Sequence, residues 1–242
     1  MKTGYGTLAT LTLAFAASVA TFRATAATYY WIGSSGGEWA DGANWSLSEG
    51  GAAANAYPTA SDDATIPSDA SIAISSGDAN VANLTLGGDV TITGSTEISI
   101  SNDRNGKTSG LGGNMLVYSS ISGEGKTLTL KTAGVRSGVD NAAIGCNICV
   151  PAGFKSAFYC DSKTILMNGS LSGGGDIIEY QAGNDNGVTY SADCSGFTGT
   201  ITEKSNPTLS VAICNWPAVP SLFATRPSIL SRMSLARTPS IS

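Results

Sequence analysis

The chain predicts an all-β fold built as a stacked, solenoid-like scaffold, with an aromatic cap at its N-terminal end. Three observations carry this. Apolar residues alternate in short bursts, Ile72 and Ile74, Leu84 and Leu86, Val90 and Ile92, Ile98 and Ile100, the period-two pattern of strands with one buried face. A ten-residue phrase recurs: Ile121-Ser-Gly-Glu-Gly-Lys-Thr-Leu-Thr-Leu130 returns as Leu171-Ser-Gly-Gly-Gly-Asp-Ile-Ile-Glu-Tyr180, 50 positions further on. Repetition of a turn–strand unit marks solenoid growth, in which each unit buries its face only against a neighbour. Finally, the chain is rich in Gly, Ser, Thr, Ala and Asn, while the helix formers Glu, Lys, Leu and Gln are scarce, a balance that favours turns over helices.

In chain order, residues 1–27 read as a secretory signal peptide. Lys2 supplies the positive start, Leu8 to Phe22 an apolar stretch, and Ala24-Thr25-Ala26 or Thr25-Ala26-Ala27 a small-x-small cleavage site. These are the three parts of such a leader. The apolar run falls short of the roughly 20 residues needed to cross a bilayer, and no later stretch is a candidate span. The expectation is therefore an exported protein, secreted or at the cell surface, with no transmembrane segment in its mature chain of about 215 residues, enough for one domain with a real core.

Residues 28–69 form the predicted cap and first strands. Tyr30 to Ile32 reads as a strand, Gly33 to Gly37 as a turn, and Trp31, Trp39 and Trp45 fall within fifteen residues. The first unit of a solenoid has an exposed end to cover, and large aromatics suit that task. The competing reading is a ligand platform, since exposed rings stack on sugars.

Residues 70–213 form the predicted body. After the bursts already named, Ser101 to Asn114 reads as a polar loop. Strands resume at Met115 to Tyr118, Leu128 to Leu130, Ile165 to Met167, Ile177 to Tyr180, Val188 to Ser191, Thr200 to Thr202 and Leu209 to Ile213. Ile144 to Val150 reads as a strand or tight turn. Glycine turns such as Gly87-Gly88-Asp89 separate the bursts and make positive φ cheap. A hairpin meander would produce the same short spacings, so periodicity alone leaves stacking and meander both open. Residues 214–242 form an irregular tail with four prolines, three arginines and no acid from Trp216 onward. Proline blocks ladders and helix interiors alike, so the tail is expected to be disordered.

Charge and reactive residues narrow the function. Between Thr28 and Lys204 there are eight basic and eighteen acidic residues, a formal net of −10. Nucleic-acid binding needs clustered Lys and Arg, so no such partner is expected. The chain has no His, which removes His-dependent nucleophilic catalysis and mixed Cys/His zinc sites. No Asp run has calcium-ligand spacing. Five cysteines are present, Cys146, Cys149, Cys160, Cys194 and Cys214; the odd count leaves at least one free or paired outside the chain. Cys146-x-x-Cys149 lacks the helix start of a redox motif, and the expectation is structural or incidental cysteines. No catalytic, cofactor-binding or metal residues are predicted.

Two stretches carry a family resemblance. Tyr30-Trp31-Ile-Gly, then Gly37-Glu-Trp39 and Asn44-Trp45-Ser46, followed by Pro58 and Asp62-Asp63-Ala64-x-Ile66, resemble the N-terminal opening of bacterial autotransporter-type passenger proteins. Ser195-Gly196-Phe197-Thr198-Gly199-Thr200-Ile201 is similar to a segment of the autotransporter-associated β-strand repeats. The resemblance implies a right-handed parallel β-helix, exported and displayed at the outer membrane or released. Members of this type are often adhesins or surface antigens, many with no known activity, and the expectation for this chain is an adhesin-like protein without catalytic activity. Phe197 is expected to plug the core at a corner. A complete member ends in a translocator β-barrel, for which the residues after Ile213 leave no room. The expectation is a truncated or barrel-less member.

Three functions follow. The first is a structural or adhesin-like surface protein, with host or matrix glycans or proteins, or further copies of itself, as partners. The second is a carbohydrate-binding module using Trp31, Trp39 and Trp45. The third is a polysaccharide-acting enzyme, for which Asp176 with Glu179, or Asp62 with Asp63, are the paired carboxylates that glycoside hydrolysis requires. Each pair has odd spacing and points to opposite faces of a regular strand, which argues against it.

Overall fold

A computed structural model describes residues 26–75, 79–95, 99–100, 111–112, 114–137, 139–160, 163–181, 187–204 and 210–211. The described residues contain no α-helix; they are short strands joined by corners. Three sheets of nine, seven and six strands run the length of the molecule as three faces. Each coil of chain contributes one strand to each face in turn. The first coil holds Asp63–Ile66, Ala70–Ile74 and Ala79–Asn80, and the second holds Asn83–Leu86, Val90–Gly94 and Asn114–Tyr118. The third holds Ser120–Ser122, Thr127–Lys131 and Ala133–Ser137, and the fourth Ala142–Ile144, Asn147–Cys149 and Lys155–Cys160. The fifth holds Ile165–Met167, Leu171–Gly173 and Asp176–Gln181, and the sixth Val188–Tyr190, Gly196–Phe197 and Ile201–Lys204. Ser210–Val211 returns to the first face. Coil lies on coil in parallel register, so the fold is a parallel β-solenoid and the meander alternative is excluded.

The core is a set of columns. On the first face Ala64, Leu84, Ile121, Ile144, Met167 and Tyr190 stack in register, all buried. On the second, Ile72, Ile92 and Leu130 stack, as do Leu128, Ile148 and Leu171. The alternation read from sequence selects these residues because successive side chains leave a strand on opposite sides. Outward positions of the second face carry Ser71, Thr91, Thr129, Cys149 and Ser172, again in register. Phe197 is buried in the core, as expected.

The repeated phrase has a different meaning from the one its spacing suggests. Its first copy runs from the first face to the second; its second copy runs from the second face to the third. The phrase is therefore a portable corner and not the coil period. The period is shown by Ile121, Ile144, Met167 and Tyr190, which pair in sequence at intervals of 23 residues. The shared element is the glycine at the third position, with φ +147° at Gly123 and +98° at Gly173. A Cβ there would lie 2.8 Å from Leu86 Cβ and 2.1 Å from the Val150 carbonyl oxygen, respectively. Both corners bring the turning backbone against the coil before it, where only glycine fits.

The N-terminal end is closed by a distinct construction. Thr28–Trp31 lies parallel on Asp63–Ile66, and Gly37–Glu38 on Ala70–Ile74. The chain then makes a single 3-10 turn, Gly42–Asn44, with the Asp41 carboxylate accepting from the Ala43 N–H at 2.9 Å. Trp45–Ser46 follows as an antiparallel edge strand on Thr28–Trp31. This reversal of direction ends the parallel stack, one of the ways proteins blunt a sheet edge.

The second coil is longer than the rest. Leu84 pairs with Ile121, 37 residues on, against 19–24 for its neighbours. The extra chain leaves the corner between Gly94 and Asn114 and contains a two-stranded ladder of Ser99–Ile100 and Leu111–Gly112. Of the loop expected over Ser101 to Asn114, residues 101–110 and 113 lie outside the described residues, and Leu111–Gly112 is a strand. Strands at Ala133–Ser137 and Lys155–Cys160 were not expected from periodicity, and Ala142–Ile144 meets the expected segment only at Ile144. Their buried positions include Ser137, Ser156 and consecutive residues of Ala157 to Cys160, which break the alternation. Ile98, residues 1–25 of the expected leader and residues 212–242, with the expected tail, lie outside the described residues. Among the described residues no helix is long and apolar enough to cross a membrane.

Candidate functional site

The three tryptophans meet at the N-terminal end, but as a core. Trp31, Trp39 and Trp45 are 5%, 2% and 0% exposed. Trp45 packs edge-on against Trp31 and Trp39, with centroids 5.1 and 4.9 Å apart and planes at 82° and 68°. Tyr29 joins at 6.5 Å. The Trp45 indole N–H donates to the Trp39 carbonyl at 2.7 Å. A sugar platform requires exposed, coplanar rings; these are buried and crossed, so the cap reading holds and the platform reading fails.

The cysteines are built into the coils. Cys146 and Cys160 are buried free thiols, and Cys149, also free, is half-buried on the outer side of its strand. Burial pushes the Cys146 thiol up to about 12. The same effect, reinforced by the Glu179 carboxylate, pushes Cys160 to about 12. Reactive cysteines need the opposite shift. Cys194 is disulfide-bonded.

The paired carboxylates do not converge. Asp62 accepts the Ala27 N–H at 2.9 Å, the Thr59 N–H at 2.9 Å and the Thr59 hydroxyl at 2.6 Å. Burial works to raise its pKa, but these three bonds outweigh it and hold the carboxyl below its ordinary value. Asp63 instead accepts from the Asn83 amide at 2.8 Å, and Asn83 accepts from the Ser120 hydroxyl at 2.9 Å, a polar ladder across three coils. Asp176 is exposed at a corner, whereas Glu179 is buried and accepts from the Tyr190 hydroxyl. Among the described residues no group of three or more Cys, Asp or Glu could hold a metal ion.

What the sequence did not reveal is a polar cleft of about 480 Å³ at the corner between the second and third faces. It spans three successive coils. Thr132 comes from the third coil, Gly153, Phe154 and Lys155 from the fourth, and Gly174, Gly175 and Asp176 from the fifth. The parallel register places Lys155 beside Asp176. The Lys131 ammonium lies over the Phe154 ring, 5.6 Å from its centroid. Glycine makes the recess: Gly153 has φ +84° and open space where a Cβ would stand. Thr132 adopts φ +54°, a left-handed conformation that is an outlier for a β-branched residue. Such strain concentrates at functional sites. The cleft holds hydroxyl, ammonium, carboxylate and aromatic groups in one recess, and among the described residues Asp176 is the carboxylate that lines it. The Gly-Gly-Asp corner lies in the repeated phrase read from the sequence, whereas the Gly-Phe-Lys corner was not singled out there, and only the register brings the two together.

No family model matches the chain, and neither a curated protein nor a solved structure matches it.

Proposed function

We propose that this chain is an exported, non-catalytic protein, secreted or held at the cell surface, that acts as a structural or adhesin-like scaffold of the autotransporter-passenger type. The observation that carries the reading is the parallel β-solenoid, in which most of the groups the sequence singled out are committed to the fold. The tryptophans close the end of the stack, the buried thiols fill it, and Asp62, Asp63 and Glu179 serve internal hydrogen bonds. The second face adds an outward column of mostly short polar side chains, Ser71, Thr91, Thr129, Cys149 and Ser172, suited to contact with glycans, proteins or further copies.

The export reading has a specific test. Ala27 is part of the fold: its N–H bonds Asp62, and its carbonyl accepts the Asp63 N–H at 2.8 Å. A cut after Ala26 preserves both bonds and places the new terminal ammonium on the Asp62 carboxylate. A cut after Ala27 removes both. Expression of the full chain in a secreting host should yield an extracellular protein whose first residue, by N-terminal sequencing, is Ala27. An uncut chain retained inside the cell would overturn the export reading. A first residue of Thr28 would overturn the proposed role of Ala27.

A further inference from the structure

The cleft between the second and third faces carries an inference beyond a general adhesive scaffold. Three independent features converge on one corner. The first is the recess itself, lined by Thr132, Phe154, Lys155 and Asp176 with Lys131 at its edge. The second is the left-handed backbone of Thr132. The third is the single long insertion, which leaves the stack at this same corner one coil earlier, between Gly94 and Asn114. In repeat folds, insertions gather on the binding face.

Charge selects the ligand. From Ala24 to Asp103 the chain carries no Lys or Arg, while acids recur throughout. The first described cations are Lys126 and Lys131; Lys155 lines the cleft, and Lys131 lies over the ring of the cleft's Phe154. Against an acidic body this corner holds two of the six described Lys and Arg residues beside one described carboxylate, a balance that favours an anion with spaced charge. A dense polyanion such as a nucleic acid would meet Asp176 and the acidic coils above, so the fit is to a ligand with spaced negative charge and many hydroxyls. Phe154 offers an apolar face for a sugar ring, Asp176 and Thr132 take hydroxyl hydrogen bonds, and the two ammonium groups take a carboxylate. Three coils span about 10 Å at the usual strand spacing, and the volume lies within the usual range for small-ligand sites.

We propose that this cleft binds a glycan bearing carboxylate groups, with Lys155 and Lys131 holding the carboxylate, Phe154 stacking on a ring and Asp176 selecting hydroxyls. The proposal deepens the adhesive reading above and rests on it only in taking an extracellular glycan as the ligand.

The test is calorimetric titration of the purified full chain with trigalacturonate and with 3′-sialyllactose, two sources of the same chemistry, and with the methyl ester of trigalacturonate as the uncharged control. The expected result is saturable binding of at least one carboxylated glycan. Lys155→Gln should weaken it by about tenfold or more, the weight of one charge-assisted hydrogen bond. Phe154→Ala should weaken both the charged ligand and its ester. Lys163→Gln, which removes an equal charge elsewhere, should change affinity by less than about twofold. Thermal unfolding of each variant separates lost binding from lost folding, and Asp176→Asn provides a second probe should Phe154→Ala not fold. Absence of saturable binding to either carboxylated glycan overturns the proposal, as does binding that Lys155→Gln leaves unchanged. Neither result touches the export test, which is read from the N-terminus and location of the chain.

Discussion

Trp45 and Trp39 sit in one buried cluster and differ in a single respect that experiment can isolate. The Trp45 N–H has a partner, the Trp39 carbonyl at 2.7 Å. The Trp39 N–H is buried and has no acceptor among the described residues. Replacing either ring by Phe removes the same atoms from sites 0% and 2% exposed, so the packing loss is similar in the two variants. Trp45→Phe also strips the donor from a buried carbonyl, costing about 1–3 kcal/mol. Trp39→Phe instead removes a buried donor that bonds nothing. Trp45→Phe should therefore be less stable than Trp39→Phe by about 1–3 kcal/mol. Against a total stability on the order of 5–15 kcal/mol, that is a readable shift, about 0.5–1 M in the urea midpoint. Far-UV circular dichroism is the assay, because it follows the strands and not the altered indoles; equal slopes in urea would confirm that both variants unfold the same unit. Equal costs, or a larger cost for Trp39→Phe, would refute the assignment of the hydrogen bond as the stabilising feature of the cap.

Three further outcomes follow from the same geometry. Gly173→Ala forces a Cβ to 2.1 Å from the Val150 carbonyl oxygen at φ +98°, whereas Gly125→Ala meets open space at φ +73°. Urea unfolding should show the first to cost clearly more than the second, whose penalty is the left-handed backbone alone, about 1 kcal/mol; equal losses would refute the close-packed corner. Iodoacetamide at pH 8 should label Cys149 in the folded chain while Cys146 and Cys160, held near 12 by burial, react only after unfolding. Because their folded pKa is raised, the stability these thiols contribute is complete below about 9 and falls as pH rises from there toward 12. Mass-spectrometric mapping showing equal labelling of all three would sink this reading. Finally, the depressed Asp62 pKa means its stabilising contribution is present above the ordinary value of 3.8 and is lost as pH falls below it. Asp62→Asn should flatten the acid limb of a stability–pH profile, and an unchanged limb would show that Asp62 is not anchoring Ala27 and Thr59.

The alternation of Ile, Leu and Val was enough to place most strands and their buried faces, because side-chain direction in a strand depends only on local backbone geometry. Glycine marked the corners for the same reason: positive φ is a one-residue property. The crowding of Trp31, Trp39 and Trp45 near the start was legible as a cap, and the odd spacing of Asp176 and Glu179 foretold that they would face apart. The strands at Ala133–Ser137 and Lys155–Cys160 were hidden because both their faces are largely buried, which erases the alternation. What only the tertiary structure decided is which strand lies on which. Partners in the stack are 19–38 residues apart, and nothing local distinguishes a parallel neighbour from an antiparallel one. That choice put the two copies of the repeated phrase at different corners. It buried Glu179 beside Tyr190, and it brought Thr132, Phe154, Lys155 and Asp176 to one cleft from three successive coils, with Lys131 over the Phe154 ring.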